Sequence, residues 1–232
     1  MTGGIIAAGE GRRLREAGFE VPKPLVPVAG IPLLETVIRN FLAAGITALT
    51  IIVNEGERDC VEWAAARFPD LDVRFVVRTT ASSLESFTRV LAAAPAGPIV
   101  VSTVDAWCRP GDFVDFVAAA RRRPPEAVVL AVTPLVADEA PLWAVLDDDG
   151  RIRRVGGESG NVVTAGIYLL PPHVRALVPP AGLGRLREFL GWLVARGEMV
   201  YGETIDDVVD VDRAADVALA ESMARQPSGG AV

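Results

Sequence analysis

The sequence predicts an α/β fold, a mixed but mainly parallel sheet with helices on both faces, and three features carry that expectation. Short apolar runs without in-out alternation recur at residues 4–8, 49–53 and 99–104, as buried parallel strands require. Between them lie stretches with apolar residues at helical spacing, clearest where Leu33, Leu34, Val37, Ile38, Phe41 and Leu42 form one stripe. Strands alternating with such helices build right-handed crossovers, which gather the loops after the strands along one sheet edge.

Residues 4–8 read as the first strand, running into a glycine-punctuated loop. Pro22 and Pro24 flank Lys23 and predict an extended segment, because each ring fixes its own φ and restricts the residue before it. The helix of 33–43 should stop at Gly45. A strand at 49–53, a helix at 58–67, a strand at 73–77 and a helix at 82–94 continue the alternation, and a strand at 99–104 delivers Asp105 at its end. After about residue 127 the pattern changes to strands at 127–132, 142–146, 152–155 and 162–169, with Asp147-Asp148-Asp149-Gly150 as a hairpin turn. These predict antiparallel additions. A helix near 184–196, a strand near 199–203 and a helix at 213–224 complete a single expected domain over 1–225, and 226–232 reads as a flexible tail.

Composition excludes several function classes. A formal charge of -7 argues against nucleic-acid binding, which needs a basic face to displace counterions. Cys60 and Cys108 stand alone, so neither a disulfide framework nor a zinc site is indicated. No apolar run reaches the ~18 residues of a membrane span and the first residues carry no basic leader, so the expected setting is the cytoplasm, with no membrane partner. Of the 23 basic residues, Lys23 is the only lysine. In a chain so biased toward arginine, that position points to a need for a compact ammonium that a planar guanidinium does not meet.

The loop Ala8-Gly9-Glu10-Gly11-Arg12-Arg13-Leu14 combines glycines that admit an anion to the backbone with arginines that neutralise it. Leu14 stands where a dinucleotide fingerprint has its third glycine, and no Gly-Lys-Ser/Thr follows, so both common nucleotide loops are excluded. Asp105 at a strand end, and Asp210 with Asp212 on one side of an extended stretch, offer hard oxygen ligands, with Mg2+ the expected cofactor. Each has a competing account: Asp105 caps the helix after Pro110, or Asp212 caps the helix from 213. Asp216 belongs to that helix. Trp107 lies near enough to Asp105 to touch a substrate, and Arg121-Arg122-Arg123 reads as a solvated helix C-terminus.

Two ordered motifs, Ile-Ala-Ala-Gly-Glu-Gly-Arg-Arg-Leu at 6–14 and Pro-Lys-Pro-Leu-Val-Pro-Val-Ala-Gly-Ile-Pro-Leu-Leu at 22–34, resemble the signature of the NTP-transferase family. That family includes sugar-1-phosphate nucleotidyltransferases, inositol-phosphate and phosphocholine cytidylyltransferases and molybdenum-cofactor nucleotidyltransferases. The resemblance is dense over 4–54 and returns at 164–169 and 210–221. It implies a three-layer Rossmann-like nucleotide-diphospho-sugar transferase fold, with an NTP-binding half at 1–125 and, at 126–225, an acceptor-binding half carrying the later metal ligands.

It further implies that Ala7, Ala8, Gly9, Gly11 and Arg12 line the nucleotide, that Arg13 holds the β- and γ-phosphates, and that Lys23 meets the reacting α-phosphate, the last two as catalytic groups. Asp105, Asp210 and Asp212 would hold the metal. Thr80 and Ser83 fall where relatives contact the base, with helix capping as the competing account for this segment. Arg154, Glu158 and Gly166 fall in the acceptor region. The chain departs from the pattern in two places: Ser102-Thr103-Val104-Asp105 replaces the usual apolar-Gly-Asp, and no lysine follows the 147–150 turn. The implied reaction moves a nucleoside monophosphate from an NTP to a phosphorylated small molecule, foremost a sugar 1-phosphate, releasing pyrophosphate. Cytidylyl transfer to inositol phosphate or phosphocholine, molybdenum-cofactor nucleotidyl transfer, and an inactive nucleotide-sensing domain are the alternatives.

Overall fold

The apolar runs become strands because each can bury both of its faces. In the computed structural model, which describes residues 1–137 and 139–226, the first half runs β1 (Thr2–Ala7), α1 (Arg12–Glu16), a 3-10 turn at Lys23–Leu25, β2 (Pro27–Val28), β3 (Ile31–Pro32), α2 (Leu33–Ala43), β4 (Ala48–Val53), α3 (Asp59–Arg67), β5 (Asp72–Val77), α4 (Ser83–Ala93), β6 (Ile99–Thr103), β7 (Ala106–Cys108) and α5 (Pro110–Ala120). The second half adds β8 (Val128–Thr133), β9 (Trp143–Leu146), β10 (Ile152–Val155), β11 (Val162–Leu170), α6 (Pro172–Arg175), α7 (Leu186–Ala195), β12 (Val200–Thr204), β13 (Val208–Asp210) and α8 (Ala214–Arg225).

One described sheet joins nine of these strands. Strands β5, β4, β1 and β6 lie parallel, and β11 turns the direction by pairing antiparallel with β6. Beyond it β8 pairs antiparallel with β11 and parallel with β12, while β9 and β10 extend the early end of β11. The period-2 alternation of strand side chains divides the core between the two faces. Ile5, Ile51, Val100 and Val129 pack under α2, α5 and α8, whereas Ile6, Ile52, Val101 and Leu130 pack under α4 and α7. Phe41 of α2 meets Phe113 of α5 edge-on at 5.0 Å, closing the first layer. The result is three layers, helix on sheet on helix.

Several expectations need correction. Lys23 is not extended: Leu25 N-H donates to Pro22 O at 2.8 Å and Val26 N-H to Lys23 O at 3.1 Å, a tight turn that tolerates Pro24 because its missing N-H has no partner to lose. The strands of 127–169 add antiparallel as expected, and the strand near 199–203, whose direction the sequence left open, runs parallel to β8 as β12. Arg123 is a tie rather than a solvated end, with its guanidinium paired to Glu203 and stacked 4.6 Å from the Tyr201 ring centre. Trp107 is buried in the core and does not line the cleft described below. The proposed tail from 227 onward lies outside the described residues. No described helix is long and apolar enough to cross a membrane.

Candidate active site

Above the carboxyl ends of β1 and β6 lies a cleft of about 850 Å³, lined by Arg13, the 81–83 segment, Thr103, Asp105, Leu142, Thr164, Gly166, Tyr168, the start of α7 and the two late aspartates. Its floor assembles in steps. Strand β6 ends against β1, where Val104 N-H donates to Ile6 O at 3.0 Å, and the next residue is Asp105. The chain then forms β7, which pairs antiparallel with β13 so that Ala106 faces Asp210. Val211 N-H closes the same corner on Asp105 O at 3.0 Å. This two-stranded ladder brings together carboxylates about a hundred residues apart in sequence.

Ligand oxygens of Asp105, Asp210 and Asp212 lie within 4.8 Å of one another. Asp212 does not cap α8. Asp216 does, accepting from the backbone N-H of Asp212 at 3.0 Å and of Arg213 at 2.8 Å, which leaves the Asp212 carboxylate to the cleft. Asp105 caps nothing either, because Arg109 stands at the start of α5. Three close carboxylates repel unless a cation joins them, and hard oxygen donors in this number suit a divalent ion such as Mg2+.

Lys23 lies beneath that floor, against two of its carboxylates. It is only 6% exposed, its ammonium donates to Asp105 at 2.6 Å, and it also pairs with Asp212. Burial by itself would depress the ammonium's pKa, but the charges of Asp105, Asp212 and Asp210 outweigh it and hold Lys23 above its usual range, fully charged. Burial likewise opposes ionisation of Asp105, and the Lys23 charge and hydrogen bond overcome that, keeping its carboxyl below the usual range. Arg13 reaches the outer oxygen of Asp212 at 3.4 Å.

Gly11 shows why the loop needs glycine here. Its φ is +59°, and a Cβ would lie 2.6 Å from the Lys23 Cβ, so the loop packs directly on the lysine stem. Gly166, φ +73°, is similar: a Cβ would sit 2.6 Å from Thr103 Oγ1, at the point where β11 loses register with β8. Ala7 is buried at the end of β1, Ala8 is half-buried, and Gly9 and Arg12 are exposed, with Arg12 facing Glu10. Of this segment only Arg13 is among the cleft-lining residues.

The Thr80 hydroxyl pairs with Ser86 at 2.6 Å, while Ser83 lines the cleft and accepts from Leu186 N-H at 3.0 Å, tying α4 to α7. Ser82, not Ser83, caps α4. Arg154 folds onto its own loop, donating to Gly156 O and Ser159 O, and Glu158 is exposed; neither lines the cleft, whereas Gly166 does. Sequence reasoning missed Arg185 and Arg187 at the start of α7. Their signal was two cations at a helix N-terminus, where the dipole disfavours them.

Residues 3–179 match the family described as MobA-like NTP transferase domain. Among characterised relatives, the "Bifunctional IPC transferase and DIPP synthase" of Rubrobacter xylanophilus is 33% identical over 94% of this chain and 51% of its own length. The "CMP-5'-(3-aminopropyl)phosphonate synthase" of Streptomyces rubellomurinus is 28% identical over 72% of this chain and 27% of its own. The chain thus spans about half or less of these relatives. The solved inositol-1-phosphate CTP transferase of T. maritima superposes with a TM-score of 0.83 at 20% identity, covering 100% of this chain and 98% of that one, a likeness of fold.

Proposed function

This chain belongs to the MobA-like NTP transferase family, and we propose that it moves a nucleoside monophosphate from an NTP to a phosphate oxygen of a small phosphorylated acceptor, releasing pyrophosphate. The observation that carries this reading is the buried Lys23 ammonium held by Asp105 and Asp212, two of the carboxylates that line the open cleft. The ammonium touches the carboxylates that face the cleft, so its charge acts on the space proposed to hold the phosphates.

In the proposed reaction the acceptor oxygen forms a bond to the α-phosphorus as the bond to the pyrophosphate oxygen breaks, in line. Lys23 stabilises the negative charge that spreads over the α-phosphoryl oxygens and onto the leaving pyrophosphate, and Arg13 holds the outer phosphates. Residues 8–11 bring the phosphates onto the backbone, and the 80–83 segment meets the base, where Ser83 still has its hydroxyl proton to donate. Asp105, Asp210 and Asp212 would hold Mg2+, which when bound neutralises phosphate charge and orients the triphosphate. A phosphate oxygen is already anionic, so no general base is needed. Residues 1–125 then serve the NTP and 126–225 the acceptor within one catalytic domain, in the cytoplasm where NTPs and Mg2+ are plentiful.

Pyrophosphate release across a panel of NTPs and phosphorylated acceptors tests the reading. Turnover that requires Mg2+ and yields a nucleotide-acceptor conjugate is expected. Tight NTP binding with no turnover across the panel would contradict it and favour a sensing domain.

A further inference from the structure

The β7–β13 ladder that brings the three aspartates together is only three residue pairs long, and it forms no part of the nine-stranded sheet. A two-stranded ladder of that length is marginal by itself, so another contact has to fix its register. Register matters here because a slip of one residue would turn Asp210, which lines the cleft, to the opposite face.

Arg109 stands one residue beyond Cys108, and Asp207 one residue before Val208, so the two continue the ladder as its next rung. There the Arg109 guanidinium pairs with the Asp207 carboxylate. Its other terminal nitrogen donates to Met223 O at 2.7 Å, in the last turn of α8, where a cation suits the helix dipole. The side chain is only 13% exposed. Asp210 and Asp212 therefore lie on a stretch of chain that one guanidinium grips on both sides, at Asp207 and at Met223.

Arg109 is not among the described cleft-lining residues, so its effect on the site passes through the ladder. Arg123, just past the other end of α5, offers a contrast: it pairs with Glu203 of β12, away from the ladder. A lysine at 109 would supply the charge but not the planar fork that spans both acceptors.

We propose that Arg109 is a positioning residue: by locking β13 against β7 at the rung beyond Cys108 and Val208, it sets the spacing of Asp105, Asp210 and Asp212, and so their affinity for a divalent ion. This deepens the transferase reading and rests on its assignment of the metal ligands. Groups that hold metal ligands in place from outside the coordination sphere typically govern about 10–100-fold in metal affinity.

The test uses Mn2+ as the probe, its binding read by electron paramagnetic resonance without nucleotide, beside hydrogen exchange of the amides at 105–108 and 208–211. Arg109→Gln should raise the Mn2+ Kd by about tenfold or more and speed exchange in both segments. Adding Asp207→Asn to it should cost no more than about twofold further, because the rung is already broken. Arg109→Lys should recover part of the loss. Arg123→Gln should leave the Mn2+ Kd and the ladder's exchange as they are, whatever it does to the melting temperature. If Arg109→Gln does not fold, Asp207→Asn alone breaks the same rung, leaves the Met223 contact, and carries the same comparison. An unchanged Mn2+ Kd, unchanged exchange in the ladder, or an equal loss in Arg123→Gln overturns the proposal. If the wild-type protein binds no Mn2+, the metal assignment fails, and exchange still decides: faster exchange confined to the ladder supports Arg109 as its lock, and unchanged exchange overturns it.

Discussion

At the scale of single residues, one buried lysine and the glycine that touches it support two of the carboxylates that line the cleft. Gly11 is needed for both its φ of +59° and its contact with the Lys23 stem. Gly11→Ala is expected to cost about 1–2 kcal/mol for the left-handed backbone alone, read as a lower denaturation midpoint, and to displace Lys23, so activity should fall by more than stability explains. The sequence made Lys23 conspicuous as the sole lysine, and made Asp105 legible as a strand-end carboxylate. It left Asp212 undecided between metal and helix cap, because capping by the residue just before a helix and by the third residue inside it look alike in sequence. The Asp216 carboxylate resolves it by taking both amides. Arg154 and Glu158 were placed by resemblance, and the loop carrying them closes on itself through Arg154 instead of reaching the cleft.

At the scale of elements, caps and ion pairs hold the site-bearing pieces in register. Asp216→Ala should lower stability by about 1 kcal/mol, the usual cost of a lost helix cap, and should also weaken Mn2+ or Mg2+ binding measured directly, since Asp212 loses its support. Glu35 of α2 ties that helix to α3: it is 8% exposed and receives Arg39 and Arg67, the latter at 2.9 Å. Burial raises its carboxyl pKa, but the two arginines outweigh this and hold it below the usual 4.5. A carboxylate depressed on folding contributes stability above its unfolded pKa and loses it as pH falls through the folded value. Acid unfolding below about pH 4.5 should thus be less steep in Glu35→Gln, and an identical pH slope in the two proteins would count against this. The long elements were legible because their apolar periodicity is set by burial. The short pieces β7 and β13 were not, since three-residue strands have no period to read, yet their pairing is what joins Asp210 to Asp105.

At the scale of the whole molecule, the chain is acidic and its cleft is as well. Three aspartates face two cations, Lys23 and Arg13, at a place proposed to receive a polyanionic triphosphate. Such a site should bind NTP poorly until a divalent ion supplies the missing charge. Chelating Mg2+ is therefore expected to abolish NTP-induced thermal stabilisation, which at a hundredfold excess over Kd amounts to ~2.7 kcal/mol. An equal shift with and without metal would refute that charge argument.

The central claim is that Lys23 acts on the reacting phosphate, and rate measurement at saturating NTP, acceptor and Mg2+ addresses it most directly. Lys23→Ala, shown to be folded by its melting curve, should lose ~10²-fold or more in kcat, the size expected for removing one transition-state charge. Near-normal kcat in that variant would mean the buried ammonium only balances the aspartates and has no part in the chemistry.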